Sequence, residues 1–164
     1  VARKLGAPAQ PELAIGAVTA NGGRYINEEI VRALGVSEGY LAAETERKLA
    51  EAEDREAHMR GACAKLPIEG RTVIVVDDGL ATGATMRAAL RSVRQAGAAR
   101  VIAAAAVGAR GSCAALEDEA DRIVCPEQPE LFFAVGQFYE DFEPTTEDEV
   151  RDLLAEARQG RVSA

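Results

Sequence analysis

The sequence predicts an α/β domain with a mainly parallel central sheet and helices on both faces. Three observations carry that expectation. Two apolar strand-length runs, 72–76 and 101–107, flank a segment of helical composition at 86–96. A strand, helix and strand at that spacing form a right-handed crossover between parallel strands. Each run is continuous rather than alternating, as expected of strands covered on both faces. The chain of 164 residues has the length of one domain, and 48% of it is apolar, enough for a core.

The remaining elements follow in order. Residues 1–5 read as a short strand, and the Gly-, Pro- and Ala-rich stretch ending at Pro11 as a loop. Segments 13–18 and 23–26 read as strands around an Asn21-Gly22 turn. Asn27 is placed to cap a helix whose first turn holds Glu28 and Glu29, where the helix dipole favours acids, and Gly35 ends it. Segment 37–60 reads as a long charged helix with acid-first pairs Glu44–Lys48, Glu51–Arg55 and Glu56–Arg60 along a solvated face. His58 lies on it as a surface or interface imidazole.

After the crossover unit, 112–119 reads as a short helix and 122–125 as a third parallel strand. After a Pro-bounded loop, segment 131–139 gathers most of the aromatic residues. Thr146 with Glu149 makes a capping box that opens a final helix to about Arg158. No repeat or linker interrupts the chain, so residues 1–164 are expected to form a single domain, with 126–144 as a flanking segment beside the site.

Composition narrows the function. The net charge is −8, from 27 acidic and 19 basic residues. That argues against sequence-independent nucleic-acid binding, which depends on neutralising phosphates. Cys63, Cys113 and Cys125 form no C-x-x-C pair and His58 is the single histidine, so no zinc site is expected. Dispersed thiols imply reduced cysteines in a cytoplasmic protein. The longest apolar run, 101–109, is about half of what spans a bilayer.

The chemistry concentrates at residues 73–85, which read V-I-V-V-D-D-G-L-A-T-G-A-T. In an open parallel sheet, ligands bind beyond the carboxyl ends of the strands. Asp77 and Asp78 offer carboxylate oxygens and no donors, which suits the two hydroxyls of a vicinal diol. Ala81, Thr82, Gly83, Ala84 and Thr85 then run into a helix N-terminus. Small residues there let backbone N–H groups approach an anion, and Thr82 and Thr85 add hydroxyl donors. Diol-binding acids followed by a phosphate cup describe a ribose 5-phosphate. No Lys follows the loop, as a Walker A motif requires, and Gly79 and Gly83 do not make G-x-G-x-x-G.

This block resembles the 5-phosphoribosyl-1-pyrophosphate (PRPP) motif of type I phosphoribosyltransferases: four hydrophobic residues, two acids, two variable residues, then x-T-G-x-T. The resemblance implies the Rossmann-like fold of that family. It also implies that Asp77 and Asp78 hold the ribose hydroxyls, that Ala81 to Thr85 hold the 5-phosphate, and that Mg2+ rides on the pyrophosphate. Residues 3–8, 11–18 and 129–142 extend the likeness to a bacterial group of phosphoribosyltransferases of unassigned substrate. Arg3 and Lys4 resemble the basic pair at the root of the family's mobile catalytic loop, where a cation meets pyrophosphate; a solvated strand-end pair is the other reading.

Segment 132–139, F-F-A-V-G-Q-F-Y, is similar to the hood of hypoxanthine-guanine enzymes. That likeness implies Phe133 stacking on a nucleobase, with Glu140 or Asp141 facing its exocyclic groups; the alternative is that Phe132, Phe133 and Phe138 fill the core. Ala81 stands where hypoxanthine-guanine enzymes carry Asp, and Arg110 is the only cation in the loop after strand 101–107, so no particular base is implied.

The expected function is transfer of a phosphoribosyl group between PRPP and a nitrogenous acceptor, within nucleotide metabolism. The alternative is a non-catalytic PRPP-binding regulatory module; such members usually carry a basic face, which this acidic chain lacks. The resemblance further implies a helix and strand ahead of Arg3 that end in a pyrophosphate-binding Gly-rich loop. The 164 residues are therefore expected to show an uncovered apolar edge beside the PRPP strand. A homodimer or the preceding segment would cover it, and these residues alone would gain little from pyrophosphate.

Overall fold

The computed structural model describes residues 1–61 and 65–159; Cys63 lies outside them. The chain is a mixed α/β structure with helices flanking two three-stranded sheets. The first sheet is antiparallel: β1 (Ala2–Ala7) pairs with β2 (Gln10–Thr19), which pairs with β3 (Arg24–Ile26). The second is parallel, in the order β4 (Thr72–Leu80), β5 (Arg100–Gly108) and β6 (Arg122–Val124).

The first sheet is longer than expected. The strand expected over residues 1–5 reaches Ala7, and β2 begins at Gln10 rather than at residue 13. Two register shifts beside Gly6 let Pro11 pass close to that backbone. A Cβ at Gly6 would lie 2.6 Å from the Pro11 carbonyl oxygen. The expected turn at Asn21-Gly22 is present, with Gly22 at φ 79°.

Asn27 caps α1 (Glu28–Ala33) through its side-chain oxygen, and Ser37 caps α2 (Glu38–Arg60). Of the three expected acid-first pairs, Glu56–Arg60 forms, at 2.7 Å. Glu44 and Glu51 turn to Arg47 instead, because Glu44 is buried against β1, where it accepts the Gly6 N–H at 3.3 Å. Arg55 reaches Glu147, and His58 lies 3.6 Å from Asp148. Both acids belong to α5 (Glu147–Gln159), which opens with the expected Thr146–Glu149 capping box.

The crossover forms as predicted: β4, then α3 (Ala84–Gln95), then β5 in parallel. Its helix bridges the two sheets. Ala84 and Ala88 pack on Ala14 and Ala17 of β2, while Met86 and Leu90 join the β5 core residues Val101 and Ala103. Small side chains on both surfaces allow this close approach.

Two expectations about the strands are corrected. β4 does not stop at residue 76 but continues through both acids to Leu80, because Asp77, Gly79 and Leu80 keep their ladder partners on β5. Nor is β4 covered on both faces. Ile74 is 59% exposed and Val76 72%, on the face turned away from α3. β4 and β1 are both edge strands among the described residues. A groove of about 380 Å³ runs between the sheets, lined by Val1, Ala2 and Thr19 on one side and Val75, Val76 and Asp77 on the other. The expected uncovered edge beside the acid-bearing strand is therefore present.

Beyond β5, α4 is shorter than expected (Arg110–Ala114) and gives way to turns. The aromatic segment forms one 3-10 turn, Val135–Phe138. Gln137 explains why: its Oε1 accepts the N–H groups of Phe133 and Ala134, each at 3.2 Å, and its Nε2 donates to the Leu131 carbonyl at 3.3 Å. The side chain thus satisfies backbone groups that a neighbouring strand would otherwise pair.

Candidate active site

The site is assembled at the C-terminal end of β4. Alternation along the strand sends consecutive side chains to opposite faces, so the acid pair is split. Asp77 turns toward the groove and α3, and Asp78 is exposed on the other face. The two carboxylates therefore do not chelate as a fork; they straddle the strand.

The Asp77 carboxyl is raised above its ordinary value, first by burial and then by the neighbouring Asp78 charge. The Asp78 N–H, 3.1 Å from Asp77 Oδ1, and the Thr85 hydroxyl partly offset this. That assigns Thr85 a second role. Its hydroxyl lies beside Asp77 as well as the cup, where Thr82 supplies the other hydroxyl.

The cup itself comes from the abrupt change of chain direction after Leu80. Gly83 takes the left-handed conformation at φ 70° and stands as N-cap of α3. A side chain there would be strained, hence glycine. No side chain closes the α3 N-terminus in the way Asn27 and Ser37 close theirs. Thr82 Oγ1 makes a long 3.4 Å contact with Ala84 N–H. The unclosed terminus faces a cavity of about 120 Å³ lined by Lys4, Ala14 and residues 79–85. First-turn N–H groups and the helix dipole make such a terminus an anion site. The loop is braced from behind: Ser112 Oγ donates to the Ala81 carbonyl at 2.5 Å, and the Arg87 guanidinium donates to the Ala115 carbonyl.

Arg3 and Lys4 are separated by the same alternation. Lys4 lines the cup cavity, with Nζ 2.7 Å from Glu12. Arg3 turns to the opposite face, beside Glu51 of α2, and its buried Nε has no partner. The structure thus brings Lys4 to the candidate site and leaves Arg3 behind the sheet.

Phe133 is not core. It is 84% exposed, and the stacking in this segment is between Phe132 and Phe138, with ring centroids 5.5 Å apart. Glu140 and Asp141 are neighbours in the same segment, both exposed. Two contacts hold the segment onto β4, and neither was anticipated. The Tyr139 hydroxyl donates to the Asp78 carbonyl at 2.7 Å. Val135 sits on Gly79, where an added Cβ would lie 2.5 Å from a Val135 methyl. Gly79 is thus required by close approach rather than by backbone angle, a distinction no sequence signal carries.

The comparisons with known proteins agree with this geometry. The phosphoribosyl transferase domain is matched over residues 19–143. The chain is 40% identical over 159 residues to the Mycobacterium tuberculosis proteins MT0597 and Rv0571c, whose names assign them provisionally to the phosphoribosyl transferases. The match covers 97% of this chain and 36% of theirs, so the chain spans about a third of the length of these relatives. Over 83 residues it is 36% identical to the ribose-phosphate pyrophosphokinase of Methanopyrus kandleri, covering 51% of this chain and 26% of that enzyme. The crystal structure of TT1426 from Thermus thermophilus superposes with a TM-score of 0.75 at 36% identity, covering 95% of this chain and 74% of the other. With three-quarters of its residues under one domain signature, its parallel sheet and its acid-bearing β4, the chain belongs to the phosphoribosyl transferase domain family.

Proposed function

We propose that the chain binds PRPP and transfers its 5-phosphoribosyl group to a nitrogenous base, releasing pyrophosphate. The observation that carries this is the single run of β4 and its exit loop, which sets an acid pair directly before an unclosed helix N-terminus. The cup at residues 81–85 takes the 5-phosphate on the N–H groups of α3, with Thr82 adding a hydroxyl. Asp77 and Asp78 accept hydrogen bonds from the ribose hydroxyls. Lys4, which lines the cup cavity, supplies a cation to the bound phosphates there.

Mg2+ would enter with PRPP as its pyrophosphate complex, held by the ligand's own oxygens, and would neutralise charge on the leaving pyrophosphate. The chain's own part is to orient C1 toward the acceptor and to stabilise the departing anion. Phe133 presents an open aromatic face to a base, and Glu140 and Asp141, exposed later in the same segment, would meet its exocyclic groups. The pyrophosphokinase likeness over half of the chain supports PRPP as the shared ligand.

Calorimetry with PRPP–Mg2+ and with ribose 5-phosphate, followed by a screen of bases for pyrophosphate release, tests this. Binding of both ligands with release for at least one base is expected. Binding of PRPP without release from any base would assign the site to a regulatory module. No binding of either would remove the proposal.

A further inference from the structure

Cys113 and Cys125 lie 12 residues apart in sequence, on α4 and just after β6, yet their sulfurs meet over one glycine. A Cβ built on Gly108 would stand 2.7 Å from Cys113 Sγ and 3.1 Å from Cys125 Sγ. Gly108 ends β5, where its N–H donates to the Glu127 carbonyl at 3.0 Å and the next N–H donates to the Leu80 carbonyl at 2.9 Å. The missing side chain at 108 is what leaves room for two thiols. Both sulfurs are unbridged. They line one cavity of about 380 Å³, which Arg110 and Arg122 also line, together with Glu117 and Asp121. The candidate active site does not use this cavity.

The thiols are unequal. Cys113 is buried and Cys125 half-buried. Burial, then the hydrogen bond and charge of Cys113, push the Cys125 thiol up to about 12. Cys125 therefore keeps its proton at neutral pH, and its S–H donates to the Glu127 carbonyl at 3.5 Å. Because both sulfurs crowd the same glycine and border the same cavity, an oxidised sulfur on either residue is met by the other.

We propose that Cys113 and Cys125 form a modification site for two-electron thiol oxidants of the hydroperoxide class, closing to an intramolecular disulfide. One of the two sulfurs, as its thiolate, attacks the peroxide oxygen: an S–O bond forms, the O–O bond breaks, and the departing hydroxide takes up a proton as water. The other sulfur then attacks the sulfenic sulfur: the S–S bond forms, the S–O bond breaks, and the second water leaves with that thiol's proton. Two thiols are oxidised and one peroxide is reduced. The new bond ties α4 to the end of β6 behind the cup, where Ser112 already holds the Ala81 carbonyl.

The test uses hydrogen peroxide on the whole chain and on its Cys63→Ser variant, in which Cys113 and Cys125 are the two remaining thiols. Free thiols are counted after denaturation, and non-reduced peptides are mapped by mass spectrometry. Loss of both thiols in the variant, a Cys113–Cys125 linked peptide from a monomer, and full recovery with dithiothreitol are expected. In Cys113→Ala or Cys125→Ala no linked peptide should form, and a sulfenic acid on the cysteine that attacks first should be trapped by dimedone in the variant that keeps it. Mapping the unsubstituted chain gives the same answer if a variant fails to fold. Two thiols retained, separate sulfinic acids, or linkage only between chains would overturn the proposal. None of these outcomes depends on whether the chain binds PRPP.

Discussion

Asp77 is where binding and stability pull in opposite directions. Its carboxyl is raised above the ordinary range, chiefly by burial. A raised carboxyl favours folding while protonated, and that contribution is lost as pH rises through its folded value. Asp77→Asn should therefore melt at a higher temperature than the parent at neutral pH, with the gap closing in acid. The same substitution, and Asp78→Asn, should weaken PRPP binding by about 1.5–3 kcal/mol, the scale of a hydrogen bond to a charged group. Calorimetry and thermal melts on one sample set check both halves. A double variant with unchanged PRPP affinity would remove the acid pair from the site. Thr82→Val should weaken ribose 5-phosphate as well as PRPP by about 1 kcal/mol. If only PRPP suffers, the loop contacts pyrophosphate instead.

At the scale of elements, the 3-10 turn after β6 is pinned to β4 by Tyr139 and Val135. Tyr139→Phe removes one hydrogen bond and keeps the ring against Phe142, 5.1 Å away between centroids. The acceptor KM should rise by about threefold to tenfold, on a scale of roughly 0.5–1.5 kcal/mol, with PRPP affinity unchanged. Phe133→Ala should raise the acceptor KM further, by about 1–3 kcal/mol of lost stacking. Because Phe133 is exposed, the variant should fold as the parent does, which circular dichroism checks. The capping box, the crossover and the Asn21-Gly22 turn were legible because each depends on residues close in sequence. The 3-10 turn was not, since hydrogen bonds from a single glutamine side chain override the strand propensity of the surrounding aromatics.

For the molecule as a whole, Glu56 anchors the end of α2. Its carboxylate meets Arg60 on its own helix and Lys65 beyond it, whose ammonium also donates to Asn21 in the turn after β2 at 2.7 Å. Burial alone would raise this carboxyl, but the hydrogen bonds from Lys65 and Arg60 hold it well below the ordinary carboxylate range. A depressed carboxyl stabilises the fold above its unfolded value of about 4.3, and that contribution is lost as pH falls through the folded one. Glu56→Gln should lower stability by about 1–3 kcal/mol at pH 7, with the difference from the parent fading below about pH 4. Urea melts across that range read it directly. A difference independent of pH would mean that packing, not charge, is what Glu56 contributes.

The sequence by itself determined the crossover unit, the acid pair and the cup, because one uninterrupted stretch from 73 to 85 encodes strand, acids, turn and helix start through local preferences. It also determined that Lys4 and Arg3 share a strand. Only the tertiary structure decided which of them reaches the cup, since that depends on which face of β1 α2 covers. The division of the first three strands from the parallel sheet, the open face of β4, the pinning of Val135 on Gly79 and the meeting of Cys113 with Cys125 over Gly108 were likewise decided in three dimensions. Each rests on contacts between residues far apart in sequence, where shape and burial rather than local propensity select the partner.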